Sequence, residues 1–314
     1  MTDQKSPDES FPFHLHCSYC TDRCRHIETS SNYVMVTNVW NESRKVEGAF
    51  QRLSRQSKKP LVWLWLDDGS VDGTYEEILR VSRKYPELRI MIERMPKKDK
   101  GDINTIGNAY TRHMPGLIEN MKGTDVQYFT IQDVGTNPCP NYYARIMTLM
   151  NANPRIGASS GYMVGEEVAR ESGMPMGDCK VTRWEIISRI ERYWPLSPDT
   201  FVNIKALSMG YGLKIWRVPV VQDGHSYGTT AKGMFYQGQL NYYVGRPFLG
   251  VAIRAFRRLL LRRYGTEMLR GYMYERQKGT WRCDDTDVLS FYGHGRSSIW
   301  VVVNLLRTRG KFSD

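Results

Sequence analysis

The chain of 314 residues has no run of about 18 apolar residues, which excludes a helix of the kind that spans a bilayer. The segment Met1 to Pro12 is polar and acidic and lacks an apolar core, so it is not a secretory signal. Its low hydrophobicity predicts a disordered leader. No internal repeat and no low-complexity tract is present. Cysteine is scarce, with six in all. Cys139, Cys179 and Cys283 are scattered, and with no signal segment they point to a reducing compartment rather than a disulfide framework. Acidic residues are in deficit, 33 against 44 Lys and Arg, for a formal net charge of +11. That balance suggests polyanionic partners: nucleic acid, anionic lipid or phosphorylated substrates. Aromatic and basic residues do not interleave as in a known nucleic-acid module, so nucleic acid is not expected.

What is present suits a globular core: 41% apolar and 25% charged residues. The length allows one large domain, or one with a sizeable appendage. Near the N-terminus, Cys17, Cys20 and Cys24 lie beside His14, His16 and His26. Such spacing can close a tetrahedral zinc site. The alternative is an unliganded polar leader, because structural zinc sites usually pair two separated halves.

The most informative stretch is Leu61-Val62-Trp63-Leu64-Trp65-Leu66-Asp67-Asp68-Gly69-Ser70-Val71-Asp72-Gly73-Thr74. Unbroken apolar residues predict a strand buried on both faces of a parallel sheet. The run stops at two carboxylates and a turn. Ligands bind past the C-terminal ends of such strands, where Asp67 and Asp68 would sit; the plainer reading is a turn with an Asp cap. Tyr33–Val39 predicts the first strand and Val46–Leu53 a helical stripe. Tyr75–Tyr85 predicts a helix, Arg89–Ile92 a strand and Ile103–Met114 a helix. Val126–Ile131 predicts a strand ending near Asp133, Tyr142–Met150 a helix and Gly157–Tyr162 a small-residue strand. Val181–Tyr193 has a helical stripe that includes Trp184, Asp199–Gly212 is helical in pattern, and Leu213–Val218 is a strand closed by Pro219. The alternation indicates an α/β fold with a mostly parallel sheet.

After Gly250 the character changes. From Val251 to Tyr264 a helical wheel puts Val251, Ala252, Ala255, Phe256, Leu259 and Leu260 on one face and Arg254, Arg257, Arg258 and Arg262 on the other. Such a helix can lie on an anionic membrane surface, or pack on its own core with a solvated basic face.

The order of these pieces resembles a family 2 glycosyltransferase with the GT-A fold. Val39-Trp40-Asn41-Glu42 resembles the family's T-Y-N-E. Asp67-Asp68-Gly69-Ser70-x-Asp72-Gly73-Thr74 matches D-D-G-S-x-D-G-T residue for residue. Asp133-Val134-Gly135-Thr136-Asn137-Pro138-x-Pro140-Asn141-Tyr142 resembles D-x-D-T-x-P-x-P-D-Y. Asp199, ahead of Gly210-Tyr211, resembles the E-D pair before the A-G-Y turn. His225 resembles a histidine that follows the next strand in some members. Gly135 replaces the second acid of D-x-D, and Pro198 the Glu of E-D.

The resemblance implies a GT-A, Rossmann-like, mixed but mostly parallel sheet flanked by helices over 31–250. A leader would occupy 1–30, and a basic helical C-terminal extension 251–314. It implies inverting transfer of a hexose from a UDP-sugar or GDP-sugar to a saccharide or polyprenyl-linked acceptor, as in surface polysaccharide or glycoconjugate synthesis. Asp199 would be the catalytic base. Asp67 and Asp68 would hold the nucleotide base, with Asn41 and Glu42 as neighbours. Asp133, with His225, would hold Mg or Mn at the diphosphate, or Arg94, Lys97 and Lys100 would neutralise it without a tightly held metal. The expected location is cytoplasmic, with peripheral attachment at the cytoplasmic face of the membrane. Gly135 and Pro198 also motivate a non-enzymatic alternative, a degenerate member that binds nucleotide sugar or glycan without turnover.

Overall fold

A computed structural model describes residues 29–97, 106–164, 173–222, 230–260, 263–280 and 282–293. The Cys17/Cys20/Cys24 cluster, Lys100 and His225 lie outside them. In chain order the elements are β1 (Tyr33–Val39), α1 (Val46–Ser54), β2 (Val62–Asp67), α2 (Thr74–Ser82), β3 (Ile90–Arg94), α3 (Ile106–Asn120), β4 (Tyr128–Gln132), β5 (Thr136–Pro138), α4 (Tyr142–Asn151), β6 (Ile156–Met163), β7 (Cys179–Arg183), α5 (Trp184–Ile187), α6 (Pro198–Ser208), β8 (Gly212–Gln222), α7 (Ala231–Tyr243), α8 (Phe248–Leu260), α9 (Gly265–Lys278) and α10 (Thr286–Gly293).

Among the described residues the sheet has eight strands in the order β3-β2-β1-β4-β7-β6-β8-β5. β1 to β4 run parallel, and β7 runs antiparallel to both β4 and β6. The chain steps from β1 outward to β2 and β3, then returns to place β4 on the other side of β1. The gap between β1 and β4 is therefore a topological switch point, where ligands of open α/β sheets bind. Every residue of β2 is buried, as its unbroken apolar run requires. On one face Trp63 and Trp65 pack on Phe50 of α1, with ring centroids 4.7 and 5.3 Å away. On the other, Val62, Leu64 and Leu66 join Tyr110 and Leu117 of α3 and Phe201 of α6.

Several local expectations are corrected. The helix expected over Val181–Tyr193 is the strand β7 followed by only one helical turn. Val181 pairs with Thr130 of β4 and with Ser159 of β6, so long-range pairing of β-branched residues overrides the helical stripe. Trp184 starts that turn and packs against the core. Pro219 does not close β8 but lies inside it, paired with Tyr162 beside a register shift where a missing N–H is tolerated. Pro115 does not stop α3, because Leu117 and Met121 continue the buried stripe.

C-terminal to β8, α7 and α9 cross at close range. A Cβ on Gly238 would stand 2.1 Å from the Met268 carbonyl, and one on Gly271 2.0 Å from that of Phe235. This helical layer begins at Ala231, ahead of the change in sequence character after Gly250. α10 is tied to α6 by Lys205, which reaches both Asp285 and Asp287 at 2.7 Å.

Candidate functional site

The turn after β2 explains its own sequence. Asp67 is fully buried; its Oδ1 accepts from the Ser70 N–H at 2.9 Å and its Oδ2 lies 3.1 Å from Arg94 Nε. Gly69 has φ +80°, and a Cβ there would meet the Pro96 carbonyl at 2.4 Å, so only glycine fits. Gly73, at φ +88°, starts α2 from the left-handed region. Asp72 accepts from the backbone N–H groups of Ser43 and Thr74, both at 3.1 Å. Burial pushes the Asp72 carboxyl up, but hydrogen bonds from Thr74 and Ser43 outweigh it and the net shift is downward.

The loop after β1 is fastened to this turn. The Asn41 N–H donates to Ser70 Oγ at 2.9 Å, and Asn41 Oδ1 accepts from the Val71 N–H at 2.9 Å. The Glu42 N–H donates to Thr74 Oγ1 at 2.9 Å. Asn41 adopts φ +56°, a left-handed conformation that asparagine tolerates better than most side chains. The Asp68 N–H donates to the Val39 carbonyl at 2.9 Å. Asn41, Glu42, Asp67 and Asp68 thus form one rigid rim at the C-terminal ends of β1 and β2. Arg94 belongs to that rim. It contacts Asp67, donates to the Ser70 carbonyl at 3.0 Å and lies over the Tyr75 ring at 4.7 Å. Lys97 is exposed on the neighbouring loop.

Across the switch point, Asp133 follows β4. Its N–H donates to the Asp178 carbonyl at 2.9 Å, and the Asp133 and Asp178 side chains are hydrogen-bonded to each other. Two carboxyl groups in that contact must share a proton or a cation. The Asp133 carboxyl is pushed up to about 6, first by burial and then by the negative charges of Asp199 and Glu42, while Asp178 and Lys45 pull it down. Asp133 therefore senses Asp178, Asp199 and Glu42 together.

Asp199 is half-buried in the first turn of α6. It is not the N-cap. That position is Ser197, at φ +46°, with Pro198 next. A helix N-terminus favours a carboxylate there. Strand β7 runs beneath it. A Cβ on Gly177 would meet Asp199 Oδ2 at 2.7 Å. Lys180, fully buried and paired with Ile131 of β4, donates from Nζ to the Asp199 carbonyl. Burial lowers the Lys180 ammonium to about 8, against the opposing pull of Asp199 and Asp178. Gly177, Asp178 and Lys180 are site residues that the sequence reading missed. Their signal was a Gly-Asp before a short β-rich run holding a single lysine.

The donor set, carboxylate oxygens of Asp133 and Asp178, is of the kind a hard divalent cation takes. Gly135 contributes no side-chain ligand. No group of three His, Cys, Asp or Glu residues poised for a metal occurs among the described residues. Two residues beyond Asp199, Phe201 helps to line a cleft of about 300 Å³ with Trp194, Tyr243 and Asp284. The Trp194 Nε1 and Tyr193 hydroxyl beside it have no hydrogen-bond partner among the described residues.

No protein-family model matches the chain, and no curated protein does. Among solved structures, it is similar to a mannosyltransferase from Pyrobaculum calidifontis in complex with GDP-Man and Mn2+. The TM-score is 0.54 at 14% identity, covering 93% of this chain and 81% of that one. Glucosyl-3-phosphoglycerate synthase from Mycobacterium tuberculosis gives 0.47 at 15% identity, with 67% and 79% covered. S. aureus TarS residues 1–349 give 0.46 at 11% identity, with 65% and 64% covered. The architecture is the GT-A fold of glycosyltransferases, a mixed, mostly parallel sheet flanked by helices.

Proposed function

We propose that the chain is an inverting family 2 glycosyltransferase that moves a hexose from a UDP-sugar or GDP-sugar to a hydroxyl of a saccharide or lipid-linked saccharide. The supporting observation is that Asp133, across the switch point from the zipped Asn41/Glu42/Asp67 rim, lies against Asp178 and feels the charges of both Asp199 and the rim's Glu42. Such a site divides into a nucleoside end and a reacting end. The mannosyltransferase neighbour is in complex with GDP-Man and Mn2+, which supports a nucleotide-sugar donor and a divalent cation in this reading.

In this reading the Asp67-Asp68 turn borders the nucleotide base, with Asp67 shaping it from behind through Ser70 and Arg94, and Asn41 and Glu42 border the ribose and diphosphate. Arg94 stiffens that rim by holding Asp67, which leaves Lys97, Lys100 and Lys45 as cations for the diphosphate. Asp133, with Asp178 beside it, would hold Mg or Mn, and His225, which lies outside the described residues, is the further candidate ligand from the sequence. When bound, that ion supplies positive charge at the leaving diphosphate. Asp199 takes the proton of the acceptor hydroxyl as it attacks from the face opposite the leaving group. Lys180 fixes the Asp199 backbone, and Gly177 leaves room for its carboxylate. The aromatic walls of the cleft beside Phe201 suit the apolar faces of an acceptor sugar.

The testing experiment is release of UDP or GDP from a panel of nucleotide sugars, with and without manganese. Wild type should turn over one donor, and Asp199→Asn should bind it without transfer. Measurable nucleotide binding without turnover of any donor would support the degenerate, binding-only alternative instead.

A further inference from the structure

α8 is apolar on two opposite faces. Inward, Val251 and Ala255 are buried, and Val251 packs with Met268 and Tyr272 of α9. A Cβ on Gly265 would meet the Ala255 carbonyl at 2.1 Å, so α8 and the start of α9 are in backbone contact. Outward, Leu249, Ile253, Phe256 and Leu260 are 71, 62, 63 and 69% exposed. Steps of four, three and four residues align them in one stripe at helical pitch. The sequence-based wheel merges these faces by placing Phe256 and Leu260 with Val251 and Ala255. The structure separates them, because α9 covers only the Val251/Ala255 side.

Arg257 is exposed on the flank of the stripe, and Arg254, also exposed, lies farther round the helix near Tyr292 of α10. No acidic residue occurs in α8. Tyr264, also exposed, stands at the end of the segment, where an aromatic ring suits the headgroup level. An exposed apolar stripe of this extent marks an interaction surface.

We propose that the outer face of α8 docks on an anionic lipid bilayer, with Leu249, Ile253, Phe256 and Leu260 entering the acyl boundary and Arg257 meeting lipid phosphates. The chain's net charge of +11 has the matching sign. A second copy on the same face would bring two Arg257 side chains to one interface, which opposes it. No described helix is long and apolar enough to cross a membrane, so the contact is interfacial. It does not depend on the sugar-transfer reading, since either can fail while the other stands.

The test is co-sedimentation of the full chain with vesicles of phosphatidylcholine alone or mixed with phosphatidylglycerol. The chain should partition to the anionic vesicles, less so at high salt. An Ile253→Ser/Phe256→Ser double variant, altered only at exposed positions, should bind at least about tenfold more weakly. Arg257→Gln should cost about fivefold. Circular dichroism should be unchanged in all variants. Wild-type binding by the double variant overturns the proposal. So does indifference to anionic vesicles, including the case of a dimer in sedimentation equilibrium that the double variant dissociates.

Discussion

Gly177→Ala isolates the positioning of Asp199 without touching its chemistry. The added Cβ would lie 2.7 Å from Asp199 Oδ2, where ordinary contact begins near 3.4 Å. The carboxylate must retreat by about 0.7 Å, the difference between those two distances. Misplacing a reacting group by about 1 Å costs on the order of a hundredfold in rate, so kcat should fall by about 10- to 100-fold. The assay is steady-state release of nucleoside diphosphate, with nucleotide affinity measured separately by calorimetry. Affinity should hold, because the Asn41/Asp67 rim is built from other strands. In an Asp199→Asn background the same change should add little, since the group being displaced no longer acts. An unchanged kcat, or full additivity with Asp199→Asn, would refute the placement of Asp199 against β7.

Three further outcomes are expected. The Asp133 carboxyl, raised to about 6 by burial and by Asp199 and Glu42, keeps its proton longer folded than unfolded. Its contribution to stability is therefore full below about pH 4, near the ordinary value of 3.8, and is lost as pH rises through 6. Urea unfolding in chelator across that window should show the decline, and Asp133→Asn should flatten it. Lys180→Met removes a buried donor to the Asp199 carbonyl and should cost roughly 1–3 kcal/mol of stability, with a lower kcat, by thermal unfolding and turnover. Gly69→Ala forces a side chain into φ +80° and against the Pro96 carbonyl. It should cost about 1–3 kcal/mol from backbone strain alone, read as a lower Tm and weaker nucleotide binding.

The Asn41/Asp67 rim was legible in the sequence because its geometry is local. Gly69 and Gly73 stand where positive φ is needed, and Asp67 and Asp72 cap their own turn. The apolar run of β2 likewise announced a strand buried on both faces. The other half of the site was legible only in part: Asp133 and Asp199 stood in the motif order, but their neighbours Asp178 and Lys180 did not. Lys180 sits on β7 and Asp178 just ahead of it, and the partners of that strand, β4 and β6, are distant in sequence. A short β-rich run beside a tryptophan-bearing helical stripe gives no sign of that pairing. Lys180 became identifiable as a site residue only once the fold had buried it beneath Asp199. The same holds for α8, where amphipathicity was evident in the sequence but the covered face was decided by α9.

The most direct measurement for the central claim is a crystal structure with UDP or GDP and manganese bound. The base should lie against the Asp67-Asp68 turn, the diphosphate should reach the Asp133/Asp178 pair with the cation between them, and the Asp199 carboxylate should face the vacated sugar position. A nucleotide bound elsewhere, or an Asp199 carboxylate turned away from the β-phosphate, would contradict it.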